Sequence, residues 1–154
     1  MHSISSNKTY TGFSLIEVIL TLGILMTISI FVFPLTTEKV RLSRLNDYAS
    51  QLTTDIYFQQ QESYFKKASK GVVFNTDGYT VFEGENYSEA TDEFSKSFPR
   101  NISITTTISP TPNQILFNGE SFKPISYGEV IISDGQNSIE LYINKEGLVD
   151  YEIL

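Results

Sequence analysis

The sequence predicts an α+β protein in which a long N-terminal helix, transmembrane at first and amphipathic further on, packs on an antiparallel β-sheet or a two-sheet globular domain. Three observations lead there. Residues 13–33 hold a single ionisable group, residues 35–70 hold neither glycine nor proline, and beyond Gly71 the apolar residues alternate with a period of two. The chain divides accordingly into a leader at 1–12, a transmembrane helix at 13–33, an amphipathic helix at 34–70 that continues it, and a β-rich acidic domain at 71–154.

The segment FSLIEVILTLGILMTISIFVF is 21 residues long, enough to cross a bilayer at about 1.5 Å per residue. Ser14, Thr21, Thr27 and Ser29 can return their hydroxyls to helix carbonyls, and Gly23 is of a type common in such spans. Glu17 stands apart, because a carboxylate in hydrocarbon costs roughly 2.5–3.5 kcal/mol unless it is paired or protonated. Two readings stay open: it lies a turn from the start of the span and snorkels to the interface, or it meets a cation. Pro34 removes one backbone donor and clashes with the carbonyl four residues earlier, which predicts a kink there, or else it marks the exit from the membrane.

In the next stretch Leu42, Leu45, Tyr48/Ala49, Leu52 and Ile56 recur at spacings of three and four, the stripe of an amphipathic helix. Arg41, Arg44, Asp47, Gln51 and Asp55 occupy its polar positions. With the apolar span, the helix is expected to run from about Phe13 to about Phe65, roughly 80 Å at 1.5 Å per residue. Gln59, Gln60, Gln61 and Glu62 read as its solvated end, Lys66, Lys67 and Lys70 as cations suited to a helix C-terminus, and Gly71 as the stop.

About seven strands follow. VVF and YTVF flank Asn75-Thr76-Asp77-Gly78, a hairpin turn. Ile102, Ile104, Thr106 and Ile108 alternate, and then come ILF at 115–117, EVII at 129–132, SIELYI at 138–143 and LVDY at 148–151. The turns DGQN and NKEG make the last three strands an antiparallel meander. Residues 84–99 and 109–113 lack a clear period and read as loops.

Composition closes off several chemistries. The chain has no cysteine, and its one histidine is His2, so thiolate nucleophiles, disulfides and most nucleophile–base pairs are absent. Net charge is −7 over the whole chain; from residue 71 onward 4 Lys/Arg stand against 13 Asp/Glu, a balance of −9. A surface of that sign repels phosphate backbones, so direct nucleic-acid binding is not expected. The pairs Glu83/Glu85 and Asp92/Glu93 read as solvated acids, no calcium-loop pattern occurs, and neither a metal site, a cofactor nor catalytic residues are assigned. Sequon matches at Asn7, Asn86 and Asn101 carry little weight.

Gly12-Phe13-Ser14-Leu15-Ile16-Glu17, followed by an apolar helix, resembles the type IV prepilin signature. Residues 1–12 fit such a leader, being short and polar and lacking the apolar stretch that precedes an ordinary secretory cleavage site. The resemblance implies cleavage after Gly12 by a prepilin peptidase, N-methylation of the new terminus at Phe13, and a polymerisation helix retained in the mature chain. It implies that Glu17 pairs with the N-terminal amine of a neighbouring subunit and sets the register of assembly. Pro34 falls where many members carry a helix-bending proline. The leader departs from many members in having Lys8 as its only firm positive charge, and Lys39, Arg41 and Arg44 after the span favour the opposite orientation by local charge counting. The motif is followed here, which places the C-terminal domain outside the cytoplasm.

The order of long helix, hairpin, central strands and closing meander is similar to the minor pseudopilin and minor pilin branch built on a β-sandwich, without the basic ending found in DNA-binding members. The implied role is a structural subunit of a type IV pilus, type II secretion or competence filament at the inner membrane. Its implied partners are the peptidase, other pilin subunits, the assembly platform and membrane lipid. The alternatives are a DNA-binding minor pilin of an uptake filament and, further off, a membrane-anchored extracytoplasmic enzyme.

Overall fold

The computed structural model describes residues 12–154, apart from the side chains at 31–36 and 92. The predicted leader therefore lies almost wholly outside the described residues, as does the proline ring on which the kink at 34 depends. Helix α1 (Leu15–Lys66) is followed by β1 (Lys70–Asn75), β2 (Gly78–Glu83), a 3-10 turn η1 (Tyr87–Glu89), β3 (Asp92–Ser97) and β4 (Ser103–Ser109). The remaining strands are β5 (Gln114–Phe117), β6 (Tyr127–Ser133), β7 (Ser138–Ile143) and β8 (Val149–Ile153). The chain divides into two compact units at the Val40/Arg41 boundary.

One part of the expected fold class is corrected. Among the described residues no helix is long and apolar enough to cross a membrane. Taken over its 52 residues α1 is not apolar: past its apolar start it carries Glu38, Lys39, Arg41 and Arg44. The expected transmembrane helix is therefore not borne out, and the described side chains at 15–30 form an apolar helical segment. The second unit is α+β, with the helix on two four-stranded antiparallel sheets, ordered β3-β2-β1-β5 and β4-β6-β7-β8.

The stripe Leu45, Ala49, Leu52 and Ile56 is fully buried, as its spacing predicts. It meets Val72, Tyr79 and Phe117 from the first sheet and Val130, Ile132 and Leu141 from the second in one continuous core. Burying each such aliphatic side chain stabilises the fold by about 1.5–3 kcal/mol. In β7 burial alternates residue by residue from Ser138 to Ile143, the pattern of a strand with one face on the core. The hairpin at 75–78 joins β1 to β2 in the register Asn75↔Gly78, and β6, β7 and β8 form the expected meander.

Several polar positions differ from expectation. Gln60 is 3% exposed instead of solvated: its amide donates to the Phe122 carbonyl at 2.6 Å and the Gly147 carbonyl at 2.8 Å, tying two loops to the helix. Asp55, read as a surface acid, accepts from the Tyr79 hydroxyl and from the Lys96 ammonium at 2.7 Å. Burial, together with that carboxylate, pushes the Tyr79 phenol well above its usual range. Lys70 is 6% exposed and sits 2.6 Å from Glu83 and 3.6 Å from Glu62. The helix ends before Gly71: Lys67 takes φ 57° and the Ala68 N–H reaches the Ser63 carbonyl at 3.3 Å, which closes the last turn in the Schellman manner. Within residues 84–99, read as a loop, the structure places η1 and β3. The sequence DEFSKS conceals its strand because β3 is an edge with most of its residues exposed, and pairing with β2 supplies what periodicity does not.

Asp134 organises the β6–β7 turn. One carboxylate oxygen accepts the backbone N–H groups of Gln136 and Asn137 at 3.0 and 2.8 Å, and the other accepts from Arg41 Nε at 3.2 Å. The Asn137 and Gln136 N–H groups and the Arg41 charge outweigh desolvation and hold this carboxyl below its usual range. Because its folded pKa is depressed, its contribution is present above about pH 3.8, the ordinary value, and is lost as the pH falls through the lower folded value. Asp134→Asn is expected to reduce stability by about 1–3 kcal/mol at neutral pH and to flatten the acid limb of an unfolding-versus-pH curve. An unchanged acid limb would show that the carboxylate does not act this way.

Candidate processing and assembly site

Three of the four residues singled out in the sequence come together at the start of α1. Gly12, Phe13 and Ser14 precede the helix and are exposed, Phe13 to 86%. Accessible backbone outside a helix is what a peptidase requires, and a Cβ at Gly12 would meet nothing within 4 Å. The Ser14 carbonyl accepts from the N–H groups of Glu17 at 3.0 Å and Val18 at 3.2 Å, which opens the helix. Pro34 is elsewhere: the backbone is helical through that position.

Glu17 has a local role that the sequence reading missed. Its Oε2 accepts from the Ser14 backbone N–H at 3.4 Å, so Ser14-Leu15-Ile16-Glu17 forms the glutamate half of a capping box. An anion in the first turn is also favoured by the helix dipole. The signal was the spacing S-x-x-E, legible as it stands. The carboxylate thus lies beside the backbone nitrogens at the head of the helix, where a newly freed amine on Phe13 would arise one residue before Ser14.

From residue 18 to 30 the helix carries no charged side chain, and none of its large apolar side chains is buried; Ile30 is 72% exposed. The polar atoms do not interrupt this surface. Thr21 donates to the Val18 carbonyl at 2.9 Å, and Thr27 and Ser29 donate to the Gly23 and Leu25 carbonyls at 2.8 Å, which satisfies the hydroxyls internally. At Gly23 the missing side chain leaves a shallow groove walled by Ile19, Ile24 and Thr27. Such a groove allows close approach of another helix. A contiguous apolar surface of this extent marks an interaction site in a folded protein.

In the second unit no comparable chemistry is assembled. Among the described residues no group of three His, Cys, Asp or Glu side chains converges as a metal site. Lys70 and the partly buried Asp55 and Asp134 are all spent on helix–sheet and turn contacts. No protein-family model, no curated protein and no solved structure matches the chain.

Proposed function

We propose that the chain is a structural subunit of a type IV pilin-like filament, cut after Gly12 and assembled through the apolar segment of α1. The reading is supported by one juxtaposition: an exposed, non-helical Gly12-Phe13-Ser14 directly ahead of a helix whose first turn holds Glu17 and whose apolar side chains at 15–30 are exposed. Copies of the same helix supply that cover, and burying each Leu or Ile contributes about 1.5–3 kcal/mol. After cleavage the Phe13 amine of one subunit and the Glu17 carboxylate of another neutralise each other within the bundle, where an unpaired charge would be costly. Phe13 is then the methylated terminus.

On this reading the partners are a prepilin peptidase, other pilin or pseudopilin subunits, the inner-membrane assembly platform, and lipid in contact with the apolar segment before assembly. The acidic domain lies outside the cytoplasm in a pilus, type II secretion or competence filament. Its charge disfavours the DNA-binding alternative, since little of its surface attracts phosphate. The reading is tested by Gly12→Ala, which places a methyl group at the scissile position and should leave the chain uncut.

A further inference from the structure

Two of the three arginines of the chain, Arg41 and Arg44, meet at one cavity, and the third, Arg100, is next in sequence to two residues of its wall. Arg41 and Arg44 line a cavity of about 110 Å³ whose far wall is Pro99, Asn101 and Ile102. Arg100 lies between two of those wall residues. Asp134 is the one carboxylate in the lining, and it is engaged by Arg41 and by the turn it organises. Arg44 and Arg100 are exposed and have no ion-pair partner among the described residues.

The complementary charge lies at the other end of the same unit. From Arg44 to Glu62 the helix rises about 27 Å at 1.5 Å per residue. At its far end residues 83–93 make a fixed excursion: Glu83 binds Lys70 at 2.6 Å, Gly84 N–H reaches the Ser69 carbonyl at 2.9 Å, and Thr91 N–H returns to the Glu83 carbonyl at 3.0 Å. The ring of Tyr87 stacks edge-on against Phe82 at 5.5 Å and holds η1 in place. Glu85 and Glu89 project from this excursion, exposed and without ion-pair partners among the described residues.

We propose that the arginine-lined cavity receives a carboxylate from the 83–93 excursion of a second copy of this chain. The patches sit at opposite ends of one unit, so they do not meet within a chain. Like patches repel, whereas basic end on acidic end attracts, and a contact between two different surfaces propagates as an open polymer unless its rotation closes a ring. The cavity has room for a side-chain carboxyl, and guanidinium groups grip carboxylates with two parallel hydrogen bonds. Exposed pairs are each worth about 0–1 kcal/mol, so this contact selects the orientation and register of neighbours while the apolar helices supply affinity. The inference rests on the filament reading and names the contact between its globular parts.

The test uses the full chain, whose lack of cysteine leaves no background. Arg44→Cys and Glu89→Cys are introduced together and the assembled material is treated with a short bismaleimide. A ladder of covalent multimers is expected, at least about fivefold stronger than with Arg44→Cys and Glu152→Cys as the pair. No ladder, or equal ladders from both pairs, would overturn the contact. The N-terminus is read in the same material: a chain cut after Gly12 without a ladder removes this contact alone, and an uncut chain removes the filament reading and the contact with it.

Discussion

Glu17→Ala is expected to be cut after Gly12 as efficiently as the natural chain and to enter filaments at least about tenfold less well, a loss of about 1.4 kcal/mol or more per contact. The substitution leaves Gly12, Phe13 and the exposed backbone ahead of the helix untouched. It removes the only ionisable side chain between residues 13 and 33, and with it the partner of the neighbouring amine. The structure adds a second role, since the same carboxylate accepts the Ser14 N–H, and losing a cap costs about 0.5–2 kcal/mol. Glu17→Gln separates the two: the amide oxygen retains the cap and loses the charge. Filament yield as low for Glu17→Gln as for Glu17→Ala assigns the effect to charge pairing, and normal yield for Glu17→Gln assigns it to capping.

The largest effect on folding is expected at Gly128. It sits in β6 opposite Ile108 of β4 and Ile143 of β7, with φ at +149°. A Cβ there would lie 2.1 Å from the Thr107 carbonyl oxygen and 2.9 Å from the Ile108 Cα, both backbone atoms. The strands must separate at the centre of the second sheet, so Gly128→Ala should cost about 3–5 kcal/mol, strain and overpacking together. Gly135 is the control: its φ is +85° but a Cβ would meet nothing within 4 Å, so Gly135→Ala carries only the conformational cost of about 1–2 kcal/mol. Denaturant midpoints of the full chain in mild detergent measure both, and equal shifts would contradict the clash.

What could be read in the sequence was whatever repeats with a period. Leu45, Ala49, Leu52 and Ile56 announce their buried face, the NTDG turn announces the β1–β2 hairpin, and the alternation in SIELYI announces a half-buried strand. Pairing across the chain was less accessible: nothing in QILF says that β5 lies beside β1, or that β4, which falls between those two strands in the chain, joins the meander in the other sheet. Edge strand β3 escaped because exposed residues carry no alternation. The polar tethers escaped for a related reason. Gln60 and Lys70 look like surface residues until the loops at 122 and 147 and the Glu83 carboxylate are brought to them.

At the candidate site the balance is different. Gly12, Phe13 and Glu17 are adjacent in sequence, so their juxtaposition needed no fold, and the structure contributes the cap at Ser14 and the exposed apolar surface behind it. The expected membrane span is corrected, since no helix among the described residues is long and apolar enough to cross a membrane. The arginine-lined cavity shows the opposite case, because Pro99 and Asn101, which flank Arg100 in the chain, meet Arg41 and Arg44 only once the β3–β4 connection is folded against the helix.

The central claim concerns the bond between Gly12 and Phe13, and the mass of the N-terminal peptide of the chain isolated from its own cells tests it most directly. The account predicts a peptide that begins at Phe13, carries one methyl group on its amine and lacks residues 1–12, and it predicts that Gly12→Ala restores the full leader. A natural chain that still begins ahead of Gly12, or one cut elsewhere with Gly12→Ala processed equally well, would contradict it.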